Sequence, residues 1–170
     1  MSRQTRRRPH PFVEAVAIDN AWKPDGGPTV HVVLVEPEIP QNTGTIVRLC
    51  AATGCPLHLI EPLGFDIDDR TLRRAGLDYW DYLELTIHTS PEAFLEWLGL
   101  RKPWVVTRQG AVRYDMPPYA DDDVIIFGSE TQGLPAAWIQ QWEERSVYIP
   151  ILGPVRNLSL IHISEPTRPY

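Results

Sequence analysis

Residues able to bind and orient a polar ligand gather in a few short stretches of the chain. The first is Glu36-Pro37-Glu38-Ile39-Pro40-Gln41-Asn42-Thr43-Gly44, followed by Arg48. Asn42 and Thr43 place an amide, a hydroxyl and free backbone donors at what reads as a helix N-terminus, where an anion is favoured. Arg48 lies about one and a half turns further on and can aim back at that point. Taken singly, Asn42 also reads as a plain N-cap and Arg48 as half of a surface salt bridge. The second stretch places Arg70, Arg73 and Arg74 on one helical face, with Tyr79, Trp80 and Tyr82 close behind. Cations interleaved with aromatic rings suit phosphate contacts and base stacking. The competing reading is a solvated helix paired with Asp68, Asp69 and Asp78.

The third stretch, Gly128-Ser129-Glu130-Thr131-Gln132-Gly133, has the glycine spacing of a phosphate loop. Leu134-Pro135 follows where Lys-Ser/Thr is required, so it is not a Walker A loop. Ser129 is not centred in a Gly-x-Ser-x-Gly elbow, and no dinucleotide fingerprint follows the first expected strand. The five histidines are scattered, none at metal-ligand spacing from another His or Cys, so no metal is expected. Cys50 and Cys55 read as buried, reduced thiols.

These residues need a scaffold, and the hydrophobic pattern supplies one. Short, nearly continuous apolar runs at 30–35, 57–60, 104–107 and 124–127 predict strands buried on both faces. Weaker strands are expected at 84–88 and 146–149. Helices are expected at about 43–52, capped by Asn42 and stopped by Gly54, and at 70–75, 91–98 and 135–142. Ser90 before Pro91 is an N-cap followed by proline at the first helical position. Strands alternating with helices predict an α/β domain, a mainly parallel sheet with helices on both faces. Ligands bind such sheets beyond the carboxyl ends of the strands, which singles out the loops 36–44, 107–110, 128–135 and 150–159.

The 170 residues suffice for one domain. Net charge is −6, yet Arg3, Arg6, Arg7 and Arg8 fall in the first eight residues; the remainder holds 12 basic against 22 acidic residues. That excludes a nucleic-acid binder relying on bulk positive charge, but not one with a local basic patch. Lys23-Pro24-Asp25-Gly26-Gly27-Pro28 has linker composition, so 1–28 reads as a flexible basic extension. No apolar run approaches the ~18 residues of a membrane span, and no secretory signal follows the basic start, so a cytoplasmic protein is expected.

Three segments in order, Pro37-Glu38-Ile39-Pro40-Gln41-Asn42-Thr43-Gly44-Thr45-Ile46-Val47-Arg48, Arg73-Arg74-Ala75-Gly76-Leu77-Asp78-Tyr79 and Phe127-Gly128-Ser129-Glu130-Thr131-Gln132-Gly133-Leu134-Pro135, resemble the SPOUT-class RNA 2′-O-methyltransferases. The likeness is greatest to the small tRNA (cytidine/uridine-2′-O)-methyltransferases of the TrmL type, and runs from about 31 to 159. It implies a deep C-terminal trefoil knot, a rare exception to unknotted topology. It also implies a homodimer, S-adenosylmethionine in the knot loops, and tRNA as substrate, at the wobble cytidine or uridine of leucine tRNAs. By position, Val106, Thr107, Gly128, Ile149 and Leu158 match the cofactor loops. Asn42 and Arg48 match the first motif, whose arginine acts on the ribose 2′-hydroxyl. Glu130 matches the second motif, and Asn157 and Ser159 the third. The implied reaction is in-line methyl transfer from sulfonium to the 2′-oxygen, with Arg48 orienting the hydroxyl and adjacent phosphate. Arg70, Arg73 and Arg74 become the candidate tRNA patch.

The chain departs from the family pattern near its end. Arg156 is followed directly by Asn157-Leu158-Ser159, two residues short of the usual third motif. Beyond Leu160, two prolines and no helical periodicity replace the expected final knot helix. The methyltransferase domain is therefore expected at 29–160, with 161–170 a non-family, foreign-looking tail. Two other readings compete: a non-catalytic RNA-binding module or inactive fragment of the same fold, and an unrelated nucleotide-binding α/β protein, against which the missing phosphate-loop fingerprints count.

Overall fold

Apolar side chains on both sides of one strand demand cover on both faces, and the structure provides it around β1 (His31–Val35). The computed structural model describes residues 29–67, 79 and 82–151. Leu34 packs with Val47 and Cys50 of α1 (Pro40–Thr53) and with Leu57 and Leu59 of β2 (Leu57–Ile60). Val33 and Val35 point the other way, toward Phe94 and Leu98 of α2 (Pro91–Leu98) and Trp138 of α3 (Ala136–Gln141). Fully burying a side chain such as Leu34 or Phe94 contributes about 1.5–3 kcal/mol, so these two layers carry the domain.

β3 (Leu85–His88), β4 (Trp104–Val106), β5 (Val112–Arg113), β6 (Val124–Phe127) and β7 (Ser146–Tyr148) complete the sheet among the described residues. Its order is β3-β2-β1-β6-β4-β7-β5, and every neighbouring pair is parallel. The chain builds outward from β1 through β2 to β3, then returns across β1 to lay down β4. The strand order thus reverses around β1 and β6, where open α/β sheets form a crevice at their carboxyl edge. The loops that leave β1, β4, β6 and β7 all open on this edge.

The strand expectations hold to within two residues, and two-residue β5 is an addition too short to leave a pattern. Ser90 caps α2 as expected, its hydroxyl accepting from the Ala93 N–H at 3.2 Å. Gly54 ends α1 at φ +67, a left-handed conformation that favours glycine. The start of α1 differs from expectation. The helix begins at Pro40, with extended Ile39 as N-cap and no side-chain cap of its own. Asn42 lies inside the first turn, so it is not the cap. Proline needs no N–H partner at this position, which lets the helix start earlier.

The expected helix at 70–75, the arginines Arg70, Arg73 and Arg74, the third-motif residues Asn157, Leu158 and Ser159, the extension 1–28, the tail 161–170 and the knot crossing lie outside the described residues.

Candidate active site

The N-terminus of α1 does attract an anion, and the anion is the protein's own. Glu130, in the loop after β6, is only 2% exposed. Its Oε2 accepts from the Glu38 N–H at 2.8 Å, and its Oε1 accepts from the Ile39 N–H and from Asn42 Nδ2, both at 3.2 Å. A carboxylate at this helix end meets both the unpaired donors and the positive end of the helix dipole. Thr131 adds a second tie between the loops, its hydroxyl donating to Glu38 Oε1 at 2.6 Å. Asn42 and Glu130, singled out separately in the sequence, are thus in direct contact.

The loop that carries Glu130 is folded tightly on itself. Ser129 and Gly133 exchange backbone hydrogen bonds at 3.2 and 3.0 Å, and the Gln132 N–H donates to Ser129 Oγ at 3.1 Å. Gly128 stands where a Cβ would lie 2.2 Å from the Gly133 carbonyl carbon, so no larger residue fits without moving the backbone. Thr107 after β4 donates its N–H to the Val147 carbonyl at 2.9 Å, and its hydroxyl accepts from the Gln109 N–H at 3.2 Å.

Between these loops lies a cavity of about 950 Å³. Val35, Leu134, Pro135 and Ile139 form apolar walls; Glu36, Thr107, Gln109, Gln132, Glu143 and Ser146 supply polar groups. Among the described residues no lysine or arginine lines it. Thr107 faces this space and Gly128 shapes the loop bounding it. Val106 and Ile149 instead pack with Trp104 and Val147 in a separate apolar cluster. Leu158 lies outside the described residues.

Arg48 is exposed on α1, with its guanidinium 5.7 Å from the centre of the Tyr79 ring. It makes no salt bridge among the described residues, so that competing reading does not hold there. Among the described residues its hydrogen-bond donors are unengaged, with an aromatic face beside them.

One cluster escaped the sequence. His31 Nδ1 and His58 Nε2 are 2.9 Å apart, and His58 Nδ1 and His88 Nε2 are 3.0 Å apart, one imidazole from each of β1, β2 and β3. Trp97 covers His58 at 4.2 Å between ring centres. Burial, then the neighbouring imidazoles and Arg101, push the His58 pKa down to about 3; burial also lowers His31 and His88. Only the strand register brings these residues together. Among the described residues no group of His, Cys, Asp and Glu is arranged to hold a metal ion, and no helix is long and apolar enough to cross a membrane. Cys50 and Cys55 are free, and burial pushes the Cys50 thiol up to about 12, which keeps it protonated.

Comparison with known proteins converges on one family. The profile of the SpoU rRNA Methylase family matches residues 29–161. The chain is 44% identical over 132 residues to the tRNA (cytidine(34)-2′-O)-methyltransferase of Escherichia coli (strain K12), spanning 77% of this chain and 84% of that one. A solved structure described as structural insights into the 2-OH methylation of C/U34 on tRNA matches with a TM-score of 0.72 and 41% identity, over 78% of this chain and 87% of that one. The fold alone is shared with the SpoU methyltransferase AviRb of Streptomyces viridochromogenes in complex with AdoMet, at 23% identity and a TM-score of 0.68, over 81% of this chain and 57% of that one.

Proposed function

The chain belongs to the SpoU methylase family, and from that premise we propose that it methylates the ribose 2′-oxygen of the wobble cytidine or uridine in leucine tRNAs, with S-adenosylmethionine as donor. The observation that carries this reading is the joining of the first and second motif loops through Glu130, beside a cavity of suitable chemistry. The cavity's apolar walls suit a purine. Two carboxylates and no lysine or arginine among its described lining residues suit a cationic sulfonium and disfavour a polyphosphate.

S-adenosylmethionine supplies the electrophilic methyl group; the protein's task is to hold and orient. Thr107 and the Gly128 loop belong to the donor side, with Val106, Ile149 and Leu158 as further cofactor-loop positions. Arg48 belongs to the acceptor side. Its guanidinium orients the 2′-hydroxyl and the adjacent phosphate through its donors. Glu130 and Asn42 act through α1: they fix the helix that carries Arg48 relative to the cavity, which is a positioning role. Asn157 and Ser159 complete the site as third-motif residues, and Arg70, Arg73 and Arg74 form the tRNA patch. The methyltransferase domain is assigned to 29–160, close to the span of the family match. The enzyme works as a cytoplasmic homodimer.

The test is transfer of labelled methyl from S-adenosylmethionine to leucine tRNA, compared with the same tRNA carrying a 2′-deoxy wobble nucleotide. Label should enter only the first. Equal label in both, or none in either, overturns the assignment.

A further inference from the structure

Glu36 is unlike the other acids of the site. It directly follows β1, its N–H donating to the Ile60 carbonyl at 2.9 Å, and its φ is +47. A side chain enters that left-handed region only at a cost, and such outliers concentrate where function retains them. The other described non-glycine residue with positive φ, Asp122, has an 83% exposed side chain on a loop. Glu36 is instead half-buried on the cavity wall. Glu38 receives the Thr131 hydroxyl and Glu130 receives three donors, whereas the Glu36 carboxylate has no hydrogen-bond or ion-pair partner among the described residues. It is also the last cavity-lining group before the chain runs on to Asn42 and Arg48. A carboxylate is thus held, at a conformational cost and without a counter-charge among the described residues, where the donor side of the site meets the acceptor side.

We propose that Glu36 is the charge-selecting residue of the donor site, favouring the cationic sulfonium form over the neutral thioether that remains after transfer. This rests on the methyl-transfer reading and adds a residue to it. Transfer breaks the methyl C–S bond and forms a C–O bond; the 2′-hydroxyl proton passes to solvent and the positive charge leaves the cavity. Glu36 then faces a neutral sulfur, so the attraction that held the donor is lost and the product exchanges for fresh donor. For a half-buried carboxylate on the wall of the cavity that takes the cation, the preference is roughly tenfold in affinity.

Calorimetric titration of the intact chain with S-adenosylmethionine and with S-adenosylhomocysteine tests this, using wild type, E36Q, E36G and E96Q. Wild type should prefer the sulfonium ligand. E36Q and E36G should each shift the ratio of dissociation constants toward the thioether by roughly tenfold, with thioether affinity little changed. E36G keeps the test decisive if E36Q folds poorly, because glycine accepts the +47° backbone. E96Q, on an exposed side chain of α2 outside the cavity lining, should leave the ratio unchanged. An unchanged ratio in the Glu36 variants, or equal weakening of both ligands, overturns the proposal. Failure of wild type to bind either ligand removes the methyl-transfer reading itself, a result distinct from an unchanged ratio.

Discussion

Glu130 and Glu36 carry the same side chain and border the same loop, yet their surroundings are opposite. Glu130 is buried and saturated by three donors from residues about ninety positions away in sequence. Glu36 is half-exposed to the cavity, has no partner among the described residues, and sits on a backbone unsuited to a side chain. One acid closes an internal debt of unpaired donors and so belongs to the framework. The other leaves its charge open and so is available to a ligand. Partner inventory, rather than residue type, separates them.

The contrast predicts opposite signs on stability. Glu130→Ala strands the Glu38 and Ile39 N–H groups and the Asn42 amide, and should lower the unfolding free energy by about 3 kcal/mol in urea titration. A loss below about 1 kcal/mol would remove Glu130 from the framework. Acid should expose the same principle among bases. The folded pKa of His58 lies near 3, below the ordinary 6.5 of the unfolded chain. Below pH 6.5 the unfolded chain therefore takes up a proton that the folded protein refuses. This contribution is complete above pH 6.5 and is lost as pH falls toward 3. Melting temperature followed over that window should fall, and H58F should flatten the slope; an unchanged slope would contradict the burial argument. Asn42→Ala removes one of Glu130's three bonds and should cost about 1 kcal/mol by the same titration. Glu36→Gly relieves the left-handed backbone and should raise stability by up to about 1 kcal/mol, seen as a higher melting temperature. A lower one would make Glu36 a framework residue too.

The parts legible in the sequence are those with local causes. The strands announce themselves as apolar runs because both faces are covered, and α2 because Ser90 and Pro91 set its start. The start of α1 was not legible, because its capping group comes from Glu130 on another loop. A side-chain cap at Asn42 was the local expectation, and the tertiary carboxylate displaced it. Likewise the three histidines look scattered at positions 31, 58 and 88, and meet only through parallel register and the cover of Trp97. In the cavity, Thr107 was singled out only by its position in the family resemblance. Glu36 was named only as part of its loop, since its distinguishing feature is a backbone angle.

The central claim is that the framework holds Arg48 in place for chemistry while Arg48 contributes little to the framework. Exposed on α1, with only the Tyr79 ring beside it among the described residues, it should be removable without structural loss. The direct measurement is methyl transfer to leucine tRNA by Arg48→Ala, alongside its melting temperature and its affinity for S-adenosylmethionine. The account predicts transfer reduced by about a thousandfold or more, with melting temperature and donor affinity unchanged. Retained transfer, or loss of transfer together with loss of donor binding, would contradict it.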